Sequence, residues 1–336
     1  MPELVASADA ACSSTGPARA ATGPVRGGLS DLDRSVLSDL DRSGRGDEDR
    51  GGLSDLERSG TGDQGSVQAS LAHAAARLRA AGCESPRLDA ELLLGEVLGM
   101  PRAQLLLSGR EPLAAAQRAR FERLLARRLA REPVAYILGR RAFRRLELAV
   151  DSRVLIPRPE TELLVEVGLT LPAGWRVADV GTGSGAVALA LADERPDLVL
   201  TGIDASAAAL AVARENAERL GLGVRLVQAD LLDDARYDAV LANLPYVEAG
   251  AALAAEIAEH EPPEALYGGA DGLAVIRRLI ARLGGRSAQT VRVVALEVGA
   301  GQAQAVLELL GAAGFTCSQV HRDLAGHERV LTARRP

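Results

Sequence analysis

The chain contains no lysine, so all 39 of its basic residues are arginine. That usage reflects coding composition rather than 39 bidentate contacts, because arginine and lysine bind anions differently. Aromatic residues make up only 2% of the 336 positions, which leaves Leu, Val and Ala to build the core. Three cysteines, Cys12, Cys83 and Cys317, are widely separated and odd in number. With no Cys-x-x-Cys and no His/Cys cluster, neither a disulfide framework nor a zinc site is indicated. No apolar run reaches the roughly 18 residues of a spanning helix. The first residues lack a charged region followed by an apolar one, so no secretory signal is expected, and the cytoplasm is the expected location. The net charge of −6 argues against a chain-wide polyanion binder.

What remains is long enough for two domains and an appendage. Residues 1–65 stand apart. Leu29-Ser-Asp-Leu-Asp-Arg-Ser35 recurs at Leu37–Ser43 and, with Glu57 in place of Asp, at Leu53–Ser59. The apolar surface there is too small to offset ordering entropy, and such short units do not build a solenoid. A disordered low-complexity tail is expected. Residues 66–140 read as wholly helical. Ser85-Pro86 is a good N-cap and first-turn pair for a helix to about Leu98. Between Leu113 and Arg131, Phe121, Leu124, Leu125 and Leu129 form an apolar stripe at helical spacing. Arg120, Arg123, Arg127 and Arg131 make a basic stripe opposite, read as a solvated face with partner binding as the alternative.

Residues 141–156 are expected to form a strand-like linker hairpin around Leu146–Val150. From 157 to 336 apolar strands alternate with amphipathic helices, the pattern of a parallel sheet with crossover helices. Strands are expected over Trp175–Val180, Leu198–Ile203, Val224–Val227, Tyr237–Ala242 and Val291–Val298. Ser206 caps one helix and Gly221 ends it. Another helix runs from Gln302 to Gly314. Phe315–Val320 and Arg329–Ala333 form a closing antiparallel hairpin.

Two segments carry chemistry. Asp179-Val-Gly181-Thr182-Gly183-Ser184-Gly185 lies at a strand-to-helix turn, where glycines let a ligand approach bare backbone at a helix N-terminus. A dinucleotide fingerprint is also satisfied by Gly181, Gly183 and Ala186. Asp179 distinguishes the two, since its charge disfavours a pyrophosphate and suits the cationic methionine moiety of S-adenosylmethionine. Asp204 ends the second strand, the place for an acceptor of ribose hydroxyls. Asp230 is placed for the adenine end, or as a loop cap, with Leu231 as an apolar wall. The second segment is Asn243-Leu244-Pro245-Tyr246, at the end of an apolar strand. Asn243 offers an amide that accepts and donates, Pro245 stiffens the turn, and Tyr246 offers an aromatic face. Together the segments read as a methyltransferase acting on an amino or amide nitrogen.

Glu132-Pro-Val-Ala-Tyr136-Ile-Leu-Gly139 and Leu155-Ile-Pro157-Arg158-Pro159-Glu160-Thr161-Glu162 both resemble the HemK family, which methylates the glutamine of the Gly-Gly-Gln motif in peptide chain release factors. His260-Glu-Pro262 and Asp323-Leu-Ala-Gly326-His327-Glu328-Arg329 are similar to family segments too. The resemblance covers roughly residues 67–335. It implies a Rossmann-like class I methyltransferase domain, a seven-stranded mixed sheet of order 3-2-1-4-5-7-6, preceded by a small helical substrate-docking domain. It further implies that Gly181–Gly185, Asp204 and Leu231 line the cofactor, with Asn243 touching it as well, and that Asn243–Tyr246 hold the glutamine, with Asn243, Pro245 and Tyr246 as the catalytic set. Release factors are then the partner, and nucleic acid contact is indirect or weak. One position departs: the family usually has Asn-Pro-Pro-Tyr, whereas residue 244 is Leu. Asn-Leu-Pro-Tyr also resembles ribosomal RNA adenine dimethyltransferases. An adenine-N6 methyltransferase and a non-catalytic protein docking on translation factors therefore stay as alternatives.

In the leading reading, Asn243 Oδ1 and the Leu244 carbonyl accept the two amide hydrogens and aim the nitrogen at the methyl group. Arg158, Glu160, Thr161 and Glu162 either close the cofactor pocket, brace the acceptor loop or simply start a helix. His260 and His327 are read as structural, and Cys83 and Cys317 as small core residues.

Overall fold

Five helices open the described part of the chain, each burying a leucine or aromatic face that its sequence spacing sets. The computed structural model describes residues 65–285 and 290–336. The expected tail over residues 1–64, with Cys12, lies outside the described residues. The helices are α1 (Val67–Ala80), α2 (Pro86–Leu98), α3 (Arg102–Leu107), α4 (Ala115–Leu129) and α5 (Val134–Leu138). Leu71, Leu78, Leu93, Leu94, Phe121 and Leu125 meet in one apolar cluster. Pro86 does stand in the first turn of α2, but the Ser85 side chain makes no cap bond. Only its carbonyl engages, accepting from Asp89 N at 2.9 Å.

The expected basic stripe runs past the end of α4 at Leu129 and is largely neutralised within the fold. Arg120 reaches Glu96, Arg127 reaches Glu132, and Arg131 pairs with Glu256. Arg131 is thus no solvated residue: it has a positive φ of 66° and turns inward to donate to the Ala81 carbonyl at 2.8 Å.

A short hairpin follows, β1 (Arg140–Phe143) with β2 (Leu146–Ala149), antiparallel with Arg140 opposite Ala149. Phe143 and Leu148 face inward from it. Tyr136 anchors the approach: it is buried and its hydroxyl donates to the Val154 carbonyl at 2.6 Å.

After a 3-10 turn at Pro159–Thr161 come α6 (Glu162–Leu169), β3 (Arg176–Val180), α7 (Ala186–Glu194), β4 (Val199–Asp204), α8 (Ala207–Leu220), β5 (Arg225–Gln228) and β6 (Ala239–Ala242). Then follow α9 (Ala255–His260), α10 (Pro263–Leu266), α11 (Ala274–Leu283), β7 (Val293–Glu297), α12 (Ala303–Ala312), β8 (Cys317–Arg322) and β9 (Glu328–Arg334). The sheet order is β5-β4-β3-β6-β7-β9-β8, parallel except for β9. Counted from β3 this is the expected 3-2-1-4-5-7-6, a seven-stranded mixed sheet. Its central strands are apolar on both faces because helices cover both, as a parallel sheet requires. Val177 and Leu241 contribute to one core, and Val180 and Val240 to the other. Ser206 accepts from Ala209 N at 3.2 Å, and Gly221 closes α8 in the left-handed conformation.

Cys317 corrects an expectation. It is exposed, because β8 is the edge strand and Cys317 points outward from it. Cys83 is buried among the opening helices. Among the described residues no helix is long and apolar enough to cross a membrane.

Candidate functional site

Strand reversal in the sheet order puts β3 between β4 and β6, and a crevice opens beyond their C-terminal ends. Each end carries one of the segments singled out above.

The turn after β3 is locked by its own backbone. Gly181 N and Thr182 N both donate to the Ile203 carbonyl, at 2.8 and 3.0 Å. Gly181 sits at φ +74°, and a Cβ there would come within 3.1 Å of the Asn243 carbonyl oxygen and 3.2 Å of the Leu244 side chain. Gly181→Ala is therefore expected to cost about 1–3 kcal/mol of stability and to push the acceptor loop outward. Thermal unfolding checks it; a melting temperature equal to wild type would show that the two turns are not in tight contact.

Asp179 is buried, and its Oδ2 accepts from the Thr182 hydroxyl at 2.7 Å and from Ala188 N at 3.1 Å. Burial pushes its carboxyl up to about 6, opposed by those two donors and assisted by the charge of Asp204. Asp204, at the end of β4, accepts from Gly183 N and Ser206 N, each at 2.9 Å. Burial raises its pKa against these donors. The two aspartates do different work. Asp179 ties the glycine turn to the start of α7, whereas Asp204 holds the turn from outside.

A cavity of about 270 Å³ joins these parts. Its walls include Asp179, Gly181–Ser184, Asp204, Asp230, Leu231 and Asn243–Pro245. Gly185 and Tyr246 are set back from it. Leu231 does form an apolar wall, held at φ +69° and buried. Asp230 stands half-exposed at the rim, ion-paired to Arg278, which also lines the cavity.

The acceptor segment leaves β6 directly. Asn243 Nδ2 donates to Thr161 Oγ1 at 3.0 Å, which ties down the amide nitrogen, and Asn243 lines the cavity. Thr161 thus braces the acceptor loop, one of the three roles open to the Arg158–Glu162 segment from sequence. Leu244, in the position of the departure, is buried and packs into the core beneath the sheet end. Pro245 and Tyr246 are held from below by a segment the sequence reading passed over. A Cβ on Gly272 would lie 2.2 Å from the Tyr246 carbonyl oxygen, so that position must be bare. Gln302 Nε2 donates to the same Tyr246 oxygen at 2.9 Å. The Tyr246 hydroxyl reaches Glu297 Oε1 at 3.2 Å.

Glu297 was also passed over. The signal was a single charge closing the apolar run Val293-Val-Ala-Leu-Glu297-Val, where a buried carboxylate demands partners. Glu261, of the His260-Glu-Pro262 segment, is buried too. It accepts from Ile156 N at 3.1 Å and pairs with Arg158. The His260 ring contacts the Ala130 carbonyl at 3.3 Å, the His327 backbone N–H donates to Asp323 Oδ1, and neither histidine lines the cavity.

Residues 69–139 match the PrmC N-terminal domain, and residues 159–270 match the methyltransferase small domain. A release factor glutamine methyltransferase of Rhodospirillum rubrum is 42% identical over 268 residues, covering 77% of this chain and 82% of that protein. One from Bordetella pertussis is 44% identical over 253 residues, 73% of this chain and 93% of its own. One from Moorella thermoacetica is 41% identical over 281 residues, 80% of this chain and 99% of its own.

Proposed function

The chain belongs to the release factor glutamine methyltransferases, and from that membership we propose that it methylates the side-chain amide nitrogen of the Gly-Gly-Gln glutamine in peptide chain release factors, with S-adenosylmethionine as donor. The observation that carries the reading is the Asn243 amide, whose nitrogen is held by Thr161, on a residue that lines a cavity shared with the Gly181–Ser184 turn and Asp204.

The residues fit such a donor. Above Gly183 nothing lies closer than 4.0 Å to where a Cβ would stand, so a bare cradle faces the cavity. Asp204 is positioned for ribose hydroxyls, with Leu231 as an apolar wall and Asp230 at the rim for the adenine edge. Asp179 adds an acidic wall beside the turn, which suits a cation and opposes a pyrophosphate. When bound, S-adenosylmethionine supplies an electrophilic methyl group on a cationic sulfur.

The protein's own part is to make a poor nucleophile available. An amide nitrogen shares its lone pair with its carbonyl, so it must be held in a geometry that favours loss of that conjugation. Asn243 Oδ1 and the Leu244 carbonyl, as two acceptors, grip the two amide hydrogens and fix the nitrogen's direction. Leu at position 244 still offers that carbonyl, and its buried side chain supplies by packing the stiffness a proline ring would give. The apolar walls exclude water, which strengthens these hydrogen bonds. The opening helices are the docking surface for the release factor in this reading.

Incubation of a release factor with the protein and S-adenosylmethionine, followed by mass spectrometry, tests it. A methyl increment on the Gly-Gly-Gln glutamine is expected. No increment there, with methylation of adenine in an RNA or DNA panel, would transfer the reading to the nucleic-acid enzyme. Asp204→Ala is expected to weaken S-adenosylmethionine binding by about 10- to 100-fold, since it removes both a ribose acceptor and the brace on the glycine turn. Calorimetry measures this, and an unchanged Kd would remove Asp204 from the cofactor site.

A further inference from the structure

Glu297 ends β7, in register beside β6, so that it follows Leu296 as Asn243 follows Ala242. It is 1% exposed, and one of its oxygens accepts from Tyr246 while the other, Oε2, has no hydrogen-bond partner among the described residues. A buried carboxylate oxygen without a donor is uncommon and calls for an explanation. Thr161 supplies it. The Thr161 oxygen already accepts from Asn243 Nδ2, so its single hydroxyl hydrogen remains to be donated. Thr161 lies close enough to lower the Glu297 pKa, and Glu297 does not line the cavity.

We propose that Glu297 is a positioning residue: by taking the hydroxyl hydrogens of Thr161 and Tyr246, it fixes the Asn243 amide with its oxygen toward the acceptor glutamine. This rests on the functional reading above. The direction of the chain matters. An ionised carboxylate only accepts, so Thr161 must donate to it and is left free to accept from Asn243 Nδ2. Asn243 then cannot flip, and Oδ1 rather than the NH2 group meets the substrate amide. A group at position 297 that donates would compete for the Thr161 oxygen and release the Asn243 amide. The same carboxylate holds Tyr246, so both ends of the acceptor segment are referred to one buried charge.

The surroundings set the pH at which this works. Burial pushes the Glu297 carboxyl up to about 7, the Thr161 and Tyr246 hydroxyls and Arg329 lower it, and Glu160 raises it. The ionised form gains as pH rises through that value. Turnover should therefore climb through about pH 7 to a plateau.

The test uses the full-length protein with release factor and S-adenosylmethionine. Glu297→Gln keeps the shape but adds a donor. Its kcat is expected to fall about 30- to 100-fold, with the Kd for S-adenosylmethionine within threefold of wild type and the limb near pH 7 lost. Thr161→Val should lose a similar amount, and the double variant should fall no more than threefold below the worse single. A Glu297→Gln kcat within threefold of wild type would overturn the proposal, as would multiplying losses or an equal loss of cofactor affinity. A readout without turnover separates this from the functional reading. In wild type, the Asn243 side-chain amide protons, assigned by comparison with Asn243→Asp, should exchange at least tenfold more slowly than in Glu297→Gln. Equal exchange would overturn the positioning role whatever the substrate proves to be. Slow exchange with no methylation of the release factor would instead uphold it and reject the substrate.

Discussion

Replacing Asn243 by Ala is expected to reduce methyl transfer to the release factor by at least 100- to 1,000-fold in kcat, the scale of losing one preorganised acceptor at a reacting group. The Kd for S-adenosylmethionine should stay within about threefold. The division follows from where the side chain is tethered. Its nitrogen is held by Thr161, a residue of the 3-10 turn ahead of α6, rather than by a hydrogen bond to the glycine turn. The contact between the two segments runs through the Asn243 backbone carbonyl, which lies against Gly181 and survives truncation of the side chain. In the proposed reading, cofactor site and acceptor grip share a wall but not a functional group. Calorimetry with S-adenosylmethionine beside single-turnover methylation reads the two separately. Equal losses in both would show that Asn243 holds the cofactor as well, and the split roles would be wrong. Asn243→Gln makes a sharper control. It keeps the amide but moves it one methylene, so kcat should remain far below wild type, because reach rather than amide chemistry is what fails.

How much of this was legible beforehand depended on whether a residue's role is local. The parallel strands, the glycine turn and the cap at Ser206 come from periodicity and turn chemistry within a few positions. Asp179 and Asp204 were placed at the right turn for the same reason. The sequence reading could not give the partners of Asp179, because Ala188 N meets it only once α7 has formed. Sequence reading left the segment between Tyr246 and Val291 almost unassigned. Yet Ile276, Leu279, Ile280 and Leu283 of α11 recur at helical spacing and are buried. That signal was available and was missed. Gly272 and Gln302 were not available in that way: their role is to let the Tyr246 backbone come close, and no local pattern encodes a distant carbonyl. Cys317 was misplaced because β8 is an edge strand, and edge position is a property of the assembled sheet. The basic stripe of α4 shows the same limit. Spacing groups four arginines in one stretch, but only the fold brings Glu96 to Arg120 and Glu256 to Arg131, which lies beyond the end of α4.

Arg128→Ala is expected to cost about 3–5 kcal/mol, the range for breaking a buried ion pair by removing one partner. Arg128 lies inside the molecule at 6% side-chain exposure, and its Nε donates to Asp89 at 2.8 Å while a second nitrogen reaches Glu256 at 2.7 Å. Three helices meet on that guanidinium: α2 through Asp89, α4 through Arg128 itself, and α9 through Glu256. Truncation leaves Asp89 buried with no counter-charge, whereas Glu256 keeps Arg131. For a chain of this size the melting temperature should drop by on the order of 10 °C at pH 7. The pH dependence identifies the cause. Burial disfavours the charged form of Glu256, but hydrogen bonds from Arg131 and Arg128 outweigh it and hold the carboxyl down to about 2. Its stabilisation is therefore full above about pH 5 and is lost as pH falls toward 2. Asp89 runs the other way: burial outweighs its bond to Arg128 and raises its pKa, so its cost at neutral pH is relieved by acid. Both signs bring wild type and Arg128→Ala together at low pH, and the gap in melting temperature should narrow between pH 7 and pH 3. A gap unchanged across that range would assign the loss to missing packing, since a cavity does not titrate. The network also has a functional consequence, because α9 follows the acceptor segment in the chain. Loosening its tie to α4 should raise the KM for the release factor more than the Kd for S-adenosylmethionine, since Asp204 and the glycine turn make no contact with Arg128. A cofactor affinity that falls in step with KM would mean that the opening helices support the whole crevice rather than its acceptor side.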